Sequence, residues 1–173
     1  MVKAAVVAVL VVSALAVARA RENDVIARFE GGIGVIPVTG GAGTPNADGT
    51  LPNVKLNVVR GVSPAGPWRI ADLKAVVGAD GHIVVKGSRL LLASGNSIGT
   101  NANASVFATL ICDTASPFTP HNTGSVALDP NGNFLIEDTL DSVPAECASP
   151  VLLIRSSGSG VWFAAGIPKL GGD

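Results

Sequence analysis

The chain has 173 residues, of which 47% are apolar and only 14% charged, with 12 Lys and Arg against 13 Asp and Glu. That length suits one domain with a sizeable core. No basic run occurs anywhere in the sequence, which disfavours nucleic acid and anionic membranes as partners.

The N-terminus opens on Met1-Val2-Lys3, and AAVVAVLVVSALAV (4–17) follows, interrupted only by Ser13. Ala18-Arg19-Ala20 then places small residues where a signal peptidase reads them. A charged start, an apolar middle and a small-residue end make up a secretory signal peptide. The apolar run is shorter than the ~20 residues of a spanning helix, and Arg21, Glu22 and Asp24 return the chain to water. Cleavage is expected after Ala20, leaving 21–173 as a single domain with no later membrane span. An uncleaved N-terminal anchor is the alternative. Without Lys3 and Arg19, ten basic residues face 13 acidic ones, a net charge of −3.

Beyond residue 20 the chain is dense in Gly, Pro, Asn, Thr and Val, and helix signals are nearly absent. DVIARFEGGIGVIPV (24–38) predicts one or two strands, and TGGAGTPNADGTLPN (39–53) a long loop. VKLNVVRG (54–61) alternates as a strand does, and VSPAGPW (62–68) is a Pro-stiffened connection. Three hairpins follow. IADLKAVV and IVVKGSRLLLA flank Gly78–His82, where Asp80-Gly81 supplies left-handed backbone. SVALD and FLIED flank Pro130-Asn131-Gly132-Asn133, with Pro130 setting φ and Gly132 free to turn left-handed. VLLIR and VWFAAG flank Ser156–Gly160. ASVFATLICD (104–113) is a further apolar strand. About nine strands in local pairs predict an all-β fold, an immunoglobulin-like or Greek-key β-sandwich, with a small β-barrel as the alternative.

Cys112 and Cys147 are the only cysteines. An even count in an exported chain predicts a disulfide, worth roughly 3–4 kcal/mol for a loop of this length. Neither has a second Cys or His at metal-ligand spacing.

Gly95-Asn96-Ser97-Ile98-Gly99 has the G-x-S-x-G form of a hydrolase nucleophile elbow. Such an elbow joins a strand to a helix. SRLLLAS (88–94) supplies a strand, but TNANASVFATLIC begins as a loop and ends as a strand. With 21 Gly in the chain, about 0.2 such matches arise by chance. A catalytic reading needs a base and an acid. His121, in a Pro-rich loop, and Asp113 are the candidates, because His82 sits in a hairpin turn. The competing reading is a polar strand-to-strand loop, SGNSIGTNANAS.

Asp129, Asn131 and Asn133 alternate as the opening ligands of a calcium loop do, with Glu137, Asp138 and Asp141 nearby. The pattern then breaks, since Phe134 follows Asn133 and Leu140 stands at the twelfth position. A hairpin turn beside a solvated acidic edge is the competing reading. Trp68, after Gly66-Pro67, is the aromatic placed for exposure and for stacking on a sugar ring, while Trp162 between Val161 and Phe163 reads as core. Asn96, Asn101 and Asn103 are the candidate polar binding residues of the adjoining loop. Asn103-Ala104-Ser105 also has the form of a glycosylation acceptor. Arg60, Arg69, Arg89 and Arg155 are scattered and expected to pair with edge carboxylates.

GPWRIADLKAVVGADGHIVVKGSRLLLASGNSIGTNA (66–102), ATLIC (108–112), FLIEDTL (134–140), PVLLIR (150–155) and WFAAGIP (162–168) together resemble a set of exported bacterial proteins with no assigned function. The resemblance implies export. It carries over no catalytic or binding residue, and it implies that GNSIGTN belongs to the architecture of such proteins. The reading as a whole is a secreted or periplasmic domain without enzymatic activity or cofactor. Its expected partner is an envelope or extracellular protein or glycan, met at loop 94–105 or loop 113–124. A small serine hydrolase using Ser97 and His121, and a calcium-stabilised adhesin-like domain, are the alternatives.

Overall fold

The computed structural model describes residues 25–36, 47 and 57–169. The expected signal peptide (1–20), nearly all of the expected loop 39–53 and the start of the expected strand 54–61 lie outside the described residues.

The fold is all-β, with eleven strands among the described residues. They are β1 (Val25–Gly34), β2 (Trp68–Arg69), β3 (Asp72–Gly78), β4 (His82–Ser88), β5 (Leu91–Leu92), β6 (Ser105–Ile111), β7 (His121–Asn122), β8 (Val126–Ala127), β9 (Phe134–Thr139), β10 (Val151–Ser156) and β11 (Trp162–Pro168). Nine form one antiparallel sheet in the order β7-β6-β10-β11-β1-β3-β4-β9, with β8 also on β6, and β2 and β5 form a separate pair. The sheet curls into a half-barrel around one apolar core. The expected sandwich drew on local pairing, whereas this strand order is one continuous curled sheet.

Two of the three expected hairpins form. In the β3–β4 turn Gly81 takes φ 84°, its N–H donates to Gly78 O (3.0 Å), and His82 N–H donates to the Asp80 carboxylate (2.9 Å). In the β10–β11 turn Gly160 takes φ 70° and its N–H donates to Ser156 O (2.9 Å). The third turn, Pro130–Asn133, also forms, but the strands it joins separate: β8 pairs with β6 and β9 with β4. It is a corner between the two ends of the sheet, not a hairpin. At 59–62 the expected strand ends in a tight two-residue turn. Arg60 (φ 46°) and Gly61 (φ 80°) are both left-handed, and Val59 and Val62 exchange backbone hydrogen bonds of 3.0 and 2.8 Å.

β3 shows how register builds the core. Leu73, Ala75 and Val77 face inward and are buried, while Asp72, Lys74 and Val76 face outward, as period-two alternation requires. Ile83 and Val85 of β4 and Phe134 and Ile136 of β9 continue the inner layer. Gly87 of β4 lies against Phe134, whose ring occupies the space a Cβ would fill. β1 bends at Gly31 (φ 89°), where its pairing register on β11 shifts. β10 is different: Leu152, Leu153 and Ile154 are all fully buried, the continuous apolar run of a strand covered on both faces. Val59, Phe118 and Cys147 pack against the same core.

The two ends of the curled sheet meet through side chains. Asp141 accepts from Asn122 N–H (2.9 Å) and Asn122 Nδ2 (3.0 Å), and Asp141 N–H donates back to Asn122 O (2.8 Å). Asp138 accepts from Gly124 N–H (2.7 Å). His121 Nδ1 lies 2.8 Å from Ser142 Oγ and 3.0 Å from Ser142 O. Asp138 and Asp141, two of the three carboxylates read from sequence as a solvated acidic edge, are the clasps of this seam, while Glu137 stays exposed. The Cys112–Cys147 disulfide forms, with Cα atoms 4.6 Å apart, and ties the end of β6 to the segment before β10. A disulfide fits an oxidising compartment, in keeping with the expected secreted or periplasmic location. No helix among the described residues is long and apolar enough to cross a membrane.

Candidate functional site

The polar loop between β5 and β6 builds one pole of the half-barrel. Gly95 (φ 78°) and Gly99 (φ 82°) are left-handed, and a Cβ at either would meet nothing, so backbone freedom alone is the reason for glycine. Between them Ile98 N–H donates to Gly95 O (3.2 Å), and Thr100 N–H and Oγ1 donate to Ser97 O at 3.2 and 2.8 Å. Gly99 N–H reaches Leu92 O (2.9 Å), and Leu92 N–H reaches Thr100 O (2.9 Å). The loop thus folds back on β5.

A second turn follows at once. Ala102 (φ 49°) and Asn103 (φ 50°) are both left-handed, and Ala104 N–H donates to Asn101 O (3.0 Å). Asn tolerates this backbone, but Ala does so at a cost of about 1–2 kcal/mol. Asn101 holds the turn in place. Its Oδ1 accepts from Asn103 N–H (3.0 Å), and its Nδ2 donates to Asp129 O (2.8 Å) and Leu128 O (3.3 Å).

The corner 129–133 stands beside this turn. The Asp129 carboxylate accepts from the backbone and side-chain amides of Asn133 and from Asn131 N–H, each at 2.8 Å. The bonds from Asn133 hold its pKa below the ordinary carboxylate value, with Asn131 and Gly132 adding to this. Asn133 Oδ1 accepts from Arg89 N–H (3.2 Å), and Arg89 is itself left-handed at φ 53°. Three of the four left-handed residues other than glycine among the described residues therefore gather here.

Two adjoining recesses result. One, of about 760 Å³, is lined by Ser97, Thr100, Asn101 and Asn103 with Leu128 and Pro130. The other, of about 400 Å³, is lined by Arg89, Asn131 and Asn133, and the two share Gly99 and Pro130. Arg89 is the single charged side chain among these lining residues. Uncharged hydroxyls and amides dominate, a lining suited to hydrogen-bonding a neutral polar ligand.

The proposed triad residues are not brought together. His121 pairs with Leu110, five residues along β6 from Ser105, which places it about 17 Å along the strand from the end that carries the Ser97 loop. His121 is buried and its Nδ1 is engaged by Ser142. Asp113 accepts from Thr119 N–H in its own loop. Neither His121 nor His82 lines the recess at Ser97. The calcium reading meets a different obstacle: Asp129 is filled by the amides of its own turn. Glu137 lies outward on β9, and no group of three or more His, Cys, Asp or Glu among the described residues is placed to hold a metal.

Of the four candidate binding residues, Asn101 and Asn103 line the recess, while Asn96 stands exposed in the turn outside it. Trp68 corrects its expectation. It is 5% exposed and stacks on Phe163, with ring centroids 4.1 Å apart and planes at 19°, so it has no face for a sugar. Trp162 is core, as expected, and its Nε1 donates to Asn57 O (2.9 Å). Arg60 and Arg155 depart from the expected pairing with carboxylates. Arg60 lies over Phe118 (5.4 Å) and Arg155 over Phe107 (5.1 Å); burial pushes the Arg155 pKa down.

No protein-family model, curated protein or solved structure matches this chain.

Proposed function

We propose that this protein is an exported, non-enzymatic β-domain, its curled sheet flattened so that two walls face each other as in a sandwich. Its polar pole binds an uncharged, hydroxyl-rich ligand of the cell envelope or its surroundings, a glycan. The observation that supports this is the gathering of left-handed backbone at Arg89, Ala102 and Asn103 around a recess lined by Ser97, Thr100 and Asn103. Strain held in one place by a surrounding hydrogen-bond frame is a feature of ligand-presenting loops, and the rigid clamp through Asn101 lowers the ordering cost of binding.

The test is titration calorimetry of the exported chain against a panel of neutral oligosaccharides, including N-acetylhexosamine oligomers. Wild-type protein is expected to bind at least one of them, and a Ser97→Ala, Asn103→Gly variant to bind it about tenfold more weakly. Absence of binding across the panel, or undiminished binding by the variant, would remove this reading. A serine-directed phosphonate probe checks the hydrolase alternative: covalent labelling lost in Ser97→Ala would replace the binding reading with an enzymatic one.

A further inference from the structure

Four cations scattered through the sequence meet on the outer face of the sheet, where no linear basic run foretells them. Arg28 comes from β1, Lys74 from β3, Lys86 from β4, and Lys169 from the residue after β11. Register brings them together. Arg28 pairs with Val76, which pairs with Val84; Glu30 pairs with Lys74, which pairs with Lys86. Phe29, Ala75 and Val85, between these rows, are buried, so both rows point outward.

The rows line a groove of about 280 Å³ that includes Val76 and Val84. Lys74 and Lys86 stand directly opposite each other, and a like-charge cross-strand pair is destabilising on its own. Glu30 is the one acidic lining residue, and Lys169 occupies it at 2.9 Å. That hydrogen bond and charge hold the Glu30 pKa below its ordinary value. Asp72 and Glu137 lie on the same outward face but do not line the groove. The Lys169–Glu30 contact is the only salt bridge among the described residues; Lys74, opposite Glu30 in register, adds a weaker Coulombic pull on that carboxylate, and Arg28 and Lys86 make no salt bridge.

We infer that this groove binds an amphiphilic anion, an unbranched acyl chain ending in a carboxylate. The valines accept methylenes, and the opposed Lys74 and Lys86 with Arg28 accept the head group, relieving their mutual repulsion. The volume is near the lower end of small-ligand pockets, ~300 Å³, and fits one chain better than a flat bilayer. Phe29, the one aromatic lining residue, is buried in the core, so the groove offers no exposed ring face for a sugar. The groove shares no lining residue with the polar pole, so the two sites stand or fall separately.

The experiment is calorimetric titration of the exported chain with decanoate below its micellar range, with decyl maltoside as the neutral counterpart. Decanoate is expected to bind saturably at one site, and decyl maltoside about tenfold more weakly or not at all. Lys74→Gln with Lys86→Gln is expected to weaken decanoate about tenfold while melting no lower than wild type, since the repulsion is gone. No saturable decanoate binding, equal affinity for the neutral amphiphile, or full affinity in the double variant each overturns the inference. Binding to anionic phosphatidylglycerol vesicles without binding to monomeric decanoate also overturns it, in favour of a bilayer surface.

Discussion

Breaking the seam between the two ends of the sheet should open the half-barrel. Asp141 is the residue to remove, because its carboxylate accepts both the backbone and side-chain amides of Asn122. Hydrogen bonds to a charged acceptor are worth about 1.5–3 kcal/mol when sheltered, and the exposure of Asp141 reduces this, so Asp141→Ala should cost about 1–2 kcal/mol. Asn122→Ala should cost more, because Asn122 Oδ1 also accepts from the fully buried Thr109 (2.8 Å). The assay is urea unfolding of wild type, both single variants and the double. A shared contact predicts a coupling energy of about 1 kcal/mol; additivity within about 0.3 kcal/mol would refute the clasp. Acid offers a second readout. Burial pushes the Asp141 pKa up, but the bonds from Asn122 and Ser142 outweigh it and hold it below the ordinary value. For Asp138 the Gly124 and Thr139 amides lower it, against a smaller effect of burial. A depressed carboxylate contributes stability above its unfolded pKa of about 3.9 and loses it as pH falls through the folded value. Wild type should therefore lose stability below about pH 4, and Asp141→Asn should lose less over the same interval. Identical acid profiles would refute the assignment.

Reducing the Cys112–Cys147 disulfide, which closes a loop with a sequence separation of 35, should lower stability by about 3.8 kcal/mol, read as the difference in urea unfolding with and without reductant. Gly87→Ala should cost about 1–3 kcal/mol by driving a methyl into Phe134, and adding Phe134→Leu should recover part of the loss in the same assay. Trp68→Ala should cost about 3–5 kcal/mol in stability, because the ring is buried on Phe163; an unchanged melting temperature with altered glycan binding would return Trp68 to the surface.

Local chemistry was enough to establish the all-β class, the turns at Gly78–His82 and Ser156–Gly160, and the disulfide, because each depends on residues close in sequence or on the only available partner. The Pro130–Asn133 turn was legible for the same reason, yet its role as a corner was not, since a turn does not say which strands its arms will join. Pairing between β6 and β10, or between β1 and β11, joins segments far apart in the chain, and nothing local sets that order. From it follow the features that sequence alone misread or missed. Trp68 is buried because Phe163, 95 positions away, supplies its partner ring. Asp138 and Asp141 are clasps because the sheet curls until its ends meet. Ser97 and His121 stand toward opposite ends of β6. Arg28, Lys74, Lys86 and Lys169 form one charged groove because cross-strand register aligns residues that no sequence window holds together.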